Sequence, residues 1–459
     1  MDISDRNNIS VEGKKIVVIG LGISGLAAIQ LATFLKANVM AYDENKNETT
    51  EKHKAALDRQ GIRVLLGGNP AEIFEADLWI VSPGIPHDSP LLKKTRKTGI
   101  PIVGEIEFAS WFTSSPIIAI TGSNGKTTTA HITAQMCQSK FRQGVLAGNV
   151  GHAFSLAVMD ELQESSGSRI YVLEISSFQM EYILHFKPYI AVFLNISPDH
   201  LDRYPDMDSY VNAKINMCQN LKEDDIIIFN AGDPVLREKL SGKAGQKYTF
   251  IPHEDFPCFL TYDDKNIYYA NGELFLSRAD VALPGLHNLQ NIMASASACV
   301  ALGFESKHIK SVIQTFQGVV HRLERVIEIR DVVYYNDSKA TNVDAVIVAL
   351  QSFNQPIILI LGGKDKGGDF KQLLPYTHNT KAVLAYGQAR DKIATALADA
   401  VRLESMEGLR DAVHMSQQLA SPGDIVLLSP GCASFDQFQN FEDRGNQFKN
   451  WVYELKAAG

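Results

Sequence analysis

The sequence is poor in the features that would mark an extracellular, membrane-bound or nucleic-acid-coating protein. Its 459 residues hold five cysteines, Cys137, Cys218, Cys258, Cys299 and Cys432, an odd number, widely scattered and without a CxxC pair. That pattern offers neither a disulfide framework nor a zinc site, and a reducing cytoplasm is the expected compartment. There is no dense Lys/Arg tract, and the net charge of −8 opposes a polyanionic partner. The cluster Lys93-Lys94-Thr95-Arg96-Lys97 reads as a solvated helix face. The opening residues, MDISDRNNISVEGKK, lack the basic-then-apolar pattern of a signal peptide. Val17 to Leu35 is free of charge and about long enough to span a bilayer, but Gly20, Gly22 and Gly25 follow directly on a β-branched run. Strand, turn and helix explain that stretch better than a membrane span.

What is present is ordinary globular material, 45% hydrophobic and 21% charged. The chain is long enough for about two to four domains whose cores need no covalent staples. Its most informative stretch is Ile117–Ala130, IIAITGSNGKTTTA. An apolar strand ends in the turn Thr121-Gly122-Ser123-Asn124-Gly125-Lys126, and Thr127 and Thr128 open a helix. Strand, glycine turn and helix start form a phosphate cradle: glycines let backbone N–H groups approach phosphate oxygens, and the helix start adds partial positive charge. Lys126 offers a mobile charge to the β/γ-phosphates and Thr127 a hydroxyl to Mg²⁺. The match is to the short form GxxGKT, because Ile120 stands where the longer motif has its first glycine.

Upstream, the strand Lys15–Ile19 leads into Gly20-Leu21-Gly22-Ile23-Ser24-Gly25, an apolar helix to about Leu35, and a strand Asn38–Tyr42 ending at Asp43. This is GxGxxG with an acid near the dinucleotide spacing. It suits any diphosphate, and the acid can take a ribose hydroxyl from a uridine nucleotide as readily as from NAD. Strands at Arg63–Leu66 and Leu78–Val81 follow, the latter ending in Ser82-Pro83-Gly84-Ile85-Pro86.

Downstream, Gly144–Ala147 ends in Gly148-Asn149, and Arg169–Leu173 ends in Glu174. A carboxylate at a strand end beside a phosphate loop is a Mg²⁺ ligand candidate; the competing reading is an acid in a helix first turn. Ile190–Leu194 runs into Asn195-Ile196-Ser197-Pro198-Asp199-His200-Leu201-Asp202-Arg203-Tyr204, a polar loop after a buried strand. A helix is expected over Met207–Leu221, and by spacing alone its Lys214 is an exposed lysine. Asn288 and Asn291 lie three apart at a helix start, placed either to read a base edge or to cap the helix. From His321-Arg322-Leu323-Glu324 onward, strands repeatedly end in small, polar or basic residues: Asn336-Asp337-Ser338-Lys339, Gly362-Gly363-Lys364-Asp365-Lys366-Gly367 and Ser429-Pro430-Gly431-Cys432. The expectation is a further parallel sheet with one ligand-bearing edge, where Arg322, Lys339 and Lys366 face an anion.

The elements TGSNGKTT, GNVG, LEISSFQ, NISPDHLDRY, HNLQN, HRLE, YNDSKATN, GGKDKG and SPGCASFDQF follow one another in an order that resembles the Mur ligases. These are the ATP-dependent amide-bond-forming enzymes of bacterial peptidoglycan synthesis. The resemblance covers nearly the whole chain. HRLE, YNDSKATN and SPGCASFDQF are similar to the D-glutamate-adding branch, and the DNPR-type motif of the diaminopimelate-adding branch is absent.

The resemblance implies an α/β protein of three domains. Residues 1–104 would form a Rossmann-like domain for a UDP-linked substrate, 105–318 a central P-loop ATPase with a mostly parallel sheet, and 319–459 a Rossmann-like amino-acid-binding domain. It further implies a cytoplasmic monomer without nucleic-acid or membrane partners. The implied reaction adds D-glutamate to UDP-N-acetylmuramoyl-L-alanine through an acyl phosphate, with ATP as co-substrate and two Mg²⁺ ions. Lys126 would steady the γ-phosphoryl group. Thr127 and Glu174 would hold one Mg²⁺, and His200 a second beside Lys214, whose counterpart in the family is carbamylated. Gly122, Ser123, Asn124, Gly125, Thr128, Asn288, Asn291, His321, Arg322, Asp337 and Lys339 would contact ATP. Gly22, Ser24, Asp43, Gly84, Asn149 and His200 would contact the UDP substrate, and Thr341, Lys366, Ser434 and Phe441 the D-glutamate. Asn45 stands where some members carry a basic residue, and GGKDKG departs from the commoner GGDGK, which keeps Lys364 open beside Lys366. The competing readings are a sister ligase for another amino acid, a folylpolyglutamate synthase, which lacks the GLGISG domain, and an NAD-dependent oxidoreductase, which leaves GKTT unexplained.

Overall fold

The computed structural model describes residues 1–458 apart from 69, 165–166, 199–202 and 284. Short apolar runs form the first sheet: β1 (Lys15–Ile19), β2 (Asn38–Asp43), β3 (Arg63–Leu66), β4 (Leu78–Val81) and β5 (Ile102–Gly104), parallel throughout in the order β3-β2-β1-β4-β5. The strand order reverses between β1 and β4, and the crevice at such a reversal is where open α/β sheets take ligands. The GLGISG turn leaves β1 there, and the SPGIP turn leaves β4.

A six-stranded sheet follows, built from β6 (Ile117–Thr121), β7 (Arg142–Gly148), β8 (Ser168–Glu174), β9 (Ile190–Phe193), β10 (Ile226–Phe229) and β11 (Gln246–Thr249). Its order is β11-β10-β9-β6-β8-β7, again all parallel. Ile117 to Thr121 are buried, as expected of a strand covered on both faces. A small antiparallel sheet of β12 (Leu260–Tyr262), β13 (Asn266–Tyr269) and β14 (Leu274–Ser277) is appended. The last sheet holds β15 (Glu324–Ile329), β16 (Val332–Asn336), β17 (Ile357–Gly362), β18 (Thr380–Tyr386), β19 (Leu403–Met406) and β20 (Ile425–Leu428) in the order β15-β16-β20-β17-β18-β19.

The chain makes two compact units, residues 1–279 with 291–312, and residues 280–290 with 313–459. Within the first unit the segment after β5 is bound to the central sheet by buried carboxylates. Glu107 accepts hydrogen bonds from the Trp111 indole (2.6 Å) and from the backbone N–H groups of His185 and Phe186 (2.7 Å each). Glu105 accepts the Ser155 N–H at 2.5 Å, and full burial pushes its pKa up to about 7.

Three expectations are corrected. The last sheet is not wholly parallel, because β15 returns through a tight hairpin and pairs antiparallel with β16 at the edge. The helix expected over Met207–Leu221 ends at Ile215 and tightens into a 3-10 turn at Asn216–Cys218. Lys214 is not exposed; 2% of it reaches solvent. Val17–Leu35 is strand, turn and helix, and no described helix is long and apolar enough to cross a membrane.

Gly25 shows how tightly the first turn is built. A Cβ there would lie 1.9 Å from the Gly20 carbonyl oxygen and 2.8 Å from Ser82 Oγ. The obstacle is backbone, which cannot step aside. Gly25→Ala is therefore expected to cost about 3 kcal/mol or more, read as a lower urea midpoint for the first unit; an unchanged midpoint would refute this packing.

Candidate active site

The phosphate-loop candidate follows β6. Gly122 has φ +155° and Gly125 φ +85°, conformations that a side chain resists. A Cβ on Gly125 would meet Asn291 Oδ1 at 2.3 Å, so a side chain there would have to displace that amide. The loop is clamped from the turn after β9. Asn195 accepts the Asn124 N–H through its side chain (2.8 Å) and the Ser123 N–H through its carbonyl (2.9 Å), and its amide donates back to the Asn124 carbonyl (3.1 Å). Ser123 Oγ donates to the Ser197 carbonyl (2.9 Å), accepts the Ser197 N–H (2.9 Å) and lies 3.0 Å from the Tyr210 hydroxyl. The N–H groups of Ser123 and Asn124 are thus engaged within the protein, while Thr127 and Thr128 sit buried in the first turn of the helix Lys126–Met136.

Two lysines converge on this loop. Lys126 Nζ donates to the carbonyls of Gly122 and Ser123 at 2.8 Å each. Lys214 Nζ, reaching in from the helix Met207–Ile215, donates to the same Gly122 carbonyl at 3.0 Å and lies 4.6 Å from the centre of the Tyr210 ring. Two amines thus share one backbone acceptor at the mouth of the loop. Glu174 ends β8 in register with Ile120 of β6, and its Oε1 accepts the Asn149 side-chain amide at 2.7 Å. Buried Glu174 and Thr127 are hard oxygen donors of the type Mg²⁺ takes beside substrate phosphates. His200 lies outside the described residues. Among the described residues no three His, Cys, Asp or Glu side chains form a metal-binding group.

At the β1/β4 crevice, Gly22 and Gly84 are exposed and Ser24 is half-buried in the first turn of the helix Ile23–Phe34. Asp43 is used internally: its oxygens accept the N–H groups of Leu21 and Asn45, each at 2.8 Å. It shapes the GLGISG turn from below. Ser82 Oγ donates to the Gly20 carbonyl at 3.0 Å, which links the two turns.

In the second unit, four strand-end loops are tied together. Lys364 and Ala433 exchange backbone hydrogen bonds, the Gly431 N–H reaches the Ala340 carbonyl, and the Lys339 N–H reaches the His321 carbonyl. Fully buried Arg444 donates to Ser338 Oγ (2.9 Å), the Ser338 carbonyl (2.7 Å) and the Cys432 carbonyl (3.1 Å). Lys339 Nζ lies 5.7 Å from the centre of the Phe441 ring. Ser434 is buried, Thr341 and Phe441 are half-buried, and Lys364 and Lys366 are exposed. His321 and Leu323 adopt positive φ, 66° and 43°, on either side of Arg322. His321 accepts the Asn336 amide at 2.9 Å, and burial lowers its pKa. Asp337 is spent inside the domain, accepting the Ser429 hydroxyl (2.9 Å) and the Leu323 N–H (3.2 Å). Asn288 and Asn291 are buried on the helix Leu286–Ala301, and Asn291 is too far along it to be a cap.

Sequence reasoning singled out the polar loop after β9, with Asn195 and Arg203 in it, but gave neither residue a task of its own, and it missed Arg444 altogether. Arg444 sits on a helix and carries no local signal.

Models of known families match three consecutive segments: the Mur ligase MurD-like N-terminal domain at residues 14–104, the Mur ligase middle domain at 120–299, and the Mur ligase glutamate ligase domain at 321–432. The sequence is 40% identical to the UDP-N-acetylmuramoylalanine–D-glutamate ligase of Geobacillus kaustophilus, over 96% of this chain and 98% of that protein. It is 37% identical to the ligase of the same name from Salinibacter ruber, over 97% and 99%. Among solved structures, the UDP-N-acetylmuramate-alanine ligase of Thermotoga maritima superposes with a TM-score of 0.58 at 18% identity, covering 97% of this chain and all of that one. At that identity the likeness speaks for the fold.

Asp337 sets a pH dependence. Burial, outweighing Arg322 and its hydrogen bonds, pushes its pKa from 3.8 to about 7. The folded state therefore keeps a proton that the unfolded chain has released, so stability is greatest below the unfolded pKa and falls as pH rises through about 7. Asp337→Asn is expected to flatten that decline in urea titrations at a series of pH values. An unchanged slope would show that Asp337 is ionised in the fold.

Proposed function

This chain belongs to the Mur ligase family, and from that premise we propose that it joins D-glutamate to UDP-N-acetylmuramoyl-L-alanine with cleavage of ATP to ADP and phosphate. The observation that carries the proposal is the phosphate loop with two lysines on its Gly122 carbonyl, in a chain matched end to end by relatives of that name.

In this reading the triphosphate enters the field of Lys126, and its charge displaces the Lys126 amine from the loop carbonyls. Lys126 then follows the γ-phosphoryl group as it moves to the substrate carboxylate, lowering the barrier by charge stabilisation. The amine of D-glutamate attacks the resulting acyl phosphate, the C–N bond forms, and phosphate leaves with the C–O electron pair. Thr127 and Glu174 would hold a Mg²⁺, with Asn149 orienting Glu174; His200 and a carbamylated Lys214 are assigned to a second ion. Bound Mg²⁺ supplies neutralisation of phosphate charge. Carbamylation would turn the Lys214 cation into an anionic oxygen donor and remove the crowding of two ammonium groups at Gly122.

Gly22, Ser24 and Gly84 are assigned to the UDP moiety, with Asp43 acting through the turn it shapes. Gly125 and Thr128 would present N–H groups to phosphates. Asn288, Asn291, His321, Arg322, Asp337 and Lys339 are assigned to the nucleotide, directly or by holding the loop that meets it. Thr341, Lys366, Ser434 and Phe441 are assigned to D-glutamate. The domain limits 1–104, 105–318 and 319–459 belong to the same proposal.

Phosphate release is expected only when UDP-N-acetylmuramoyl-L-alanine, D-glutamate, ATP and Mg²⁺ are all present. Comparable turnover with L-lysine or meso-diaminopimelate would reject the amino-acid assignment. Lys126→Ala should lower kcat by roughly 10²–10³-fold or more, and near-normal activity would remove that lysine from the mechanism.

A further inference from the structure

Arg203 stands next to last in the run NISPDHLDRY, and nothing in the chemistry above uses it. Its guanidinium nevertheless spans two domains of the first unit. Nη1 donates to the Pro83 carbonyl at 2.7 Å, and Nη2 donates to the Ile85 carbonyl at 3.2 Å and to Glu181 Oε2 at 3.0 Å. The guanidinium carbon lies 4.0 Å from the centre of the Phe178 ring. Glu181 is fixed from its other side by the Tyr204 hydroxyl at 2.8 Å. Both charged groups are largely buried, with 16% of the Arg203 side chain and 7% of that of Glu181 exposed. A buried pair of this kind is costly to assemble and costly to break from one side.

The two carbonyls matter because they flank Gly84, the exposed residue of the turn at the β1/β4 crevice. A rigid fork that takes the carbonyl before and the carbonyl after one residue fixes that residue's backbone. A lysine, with one flexible point charge, cannot hold both in the same way. Beside the clamp lies a cavity of about 770 Å³ whose lining includes Pro86, His87, Glu181, Arg203, Tyr204 and Asn212. The neighbouring support is the stacking of His87 on Tyr182, with ring centres 5.8 Å apart.

We propose that Arg203 is a positioning residue for the uridine-nucleotide substrate, holding the turn Ser82–Pro86 against the central domain so that Gly84 meets its ligand in one fixed geometry. This rests on the ligase reading given above. The stretch after β9 then serves two sites at once. Asn195, at one end, clamps the phosphate loop, and Arg203, at the other, clamps the substrate turn.

The test uses the full-length protein and its Arg203→Met and Arg203→Lys variants. KM is measured for UDP-N-acetylmuramoyl-L-alanine, ATP and D-glutamate in turn, and UDP affinity is measured by calorimetry. The expected result is a KM for the uridine substrate raised about tenfold or more in Arg203→Met, the size of a lost charged hydrogen bond. Arg203→Lys should fall between, UDP affinity should weaken in parallel, and the other two KM values should stay within about twofold. An equal rise for all three substrates, or a fall in kcat with unchanged uridine KM and UDP affinity, would overturn the proposal as a general loss of structure. If Arg203→Met does not fold, the lysine variant decides by the same split. A wild-type protein that binds UDP but ligates nothing would sink the ligase reading, and the UDP affinities of the variants would still judge Arg203. An active wild type with unaltered variants would sink only the Arg203 assignment.

Discussion

Much of the first unit is arranged around one carbonyl group, that of Gly122. It lies at the point where β6 breaks into the phosphate loop, and it accepts hydrogen bonds from both Lys126 and Lys214. Neither lysine could be held there unless the loop were rigid. Rigidity comes from the Asn195 side chain and carbonyl on one flank and from the close fit of Gly125 to Asn291 on the other. A loop fixed in this way does not reorganise when an anion arrives, and this preorganisation is what makes electrostatic stabilisation effective.

The same economy recurs at the other strand ends. Buried ionic side chains grip backbone and leave exposed positions to meet the ligands. Asp43 holds two N–H groups of the GLGISG turn, Asp337 holds Leu323 and Ser429, and Arg444 holds the loops of Ser338 and Cys432. The positive-φ residues His321 and Leu323 fit this scheme, because strained backbone persists where its surroundings over-determine it. Apart from the His321–Leu323 turn, which precedes the antiparallel β15, these loops lie at the carboxyl ends of parallel strands, where α/β proteins concentrate their chemistry.

The alternation of apolar strands with glycine-rich or polar turns made most of the fold legible in advance. β1, β3 and β4 fall where hydrophobic runs place them, β2, β7, β8 and β9 shift at their ends by one or two residues, and β19 was not read from the sequence. The antiparallel β15 was not legible, since ERVIEI has no preference for one direction of pairing until its neighbour is known. The phosphate loop announced itself through local sequence. Its supports did not, because Asn195 and Asn291 act on residues far away in the chain; in the second unit Arg444 likewise grips the distant loops of Ser338 and Cys432. Lys214 shows the limit most plainly: helical spacing pointed to solvent, and tertiary packing buried it on a loop 92 residues away.

The central claim is that this loop carries phosphoryl transfer to a carboxylate, which the amine then displaces. The most direct measurement labels the lactoyl-alanine carboxylate of the uridine substrate with heavy oxygen and follows the label through a complete turnover. The account predicts that one labelled oxygen per turnover appears in the released phosphate and that the nucleotide product is ADP. Label retained wholly in the peptide product, or release of AMP and pyrophosphate, would contradict it.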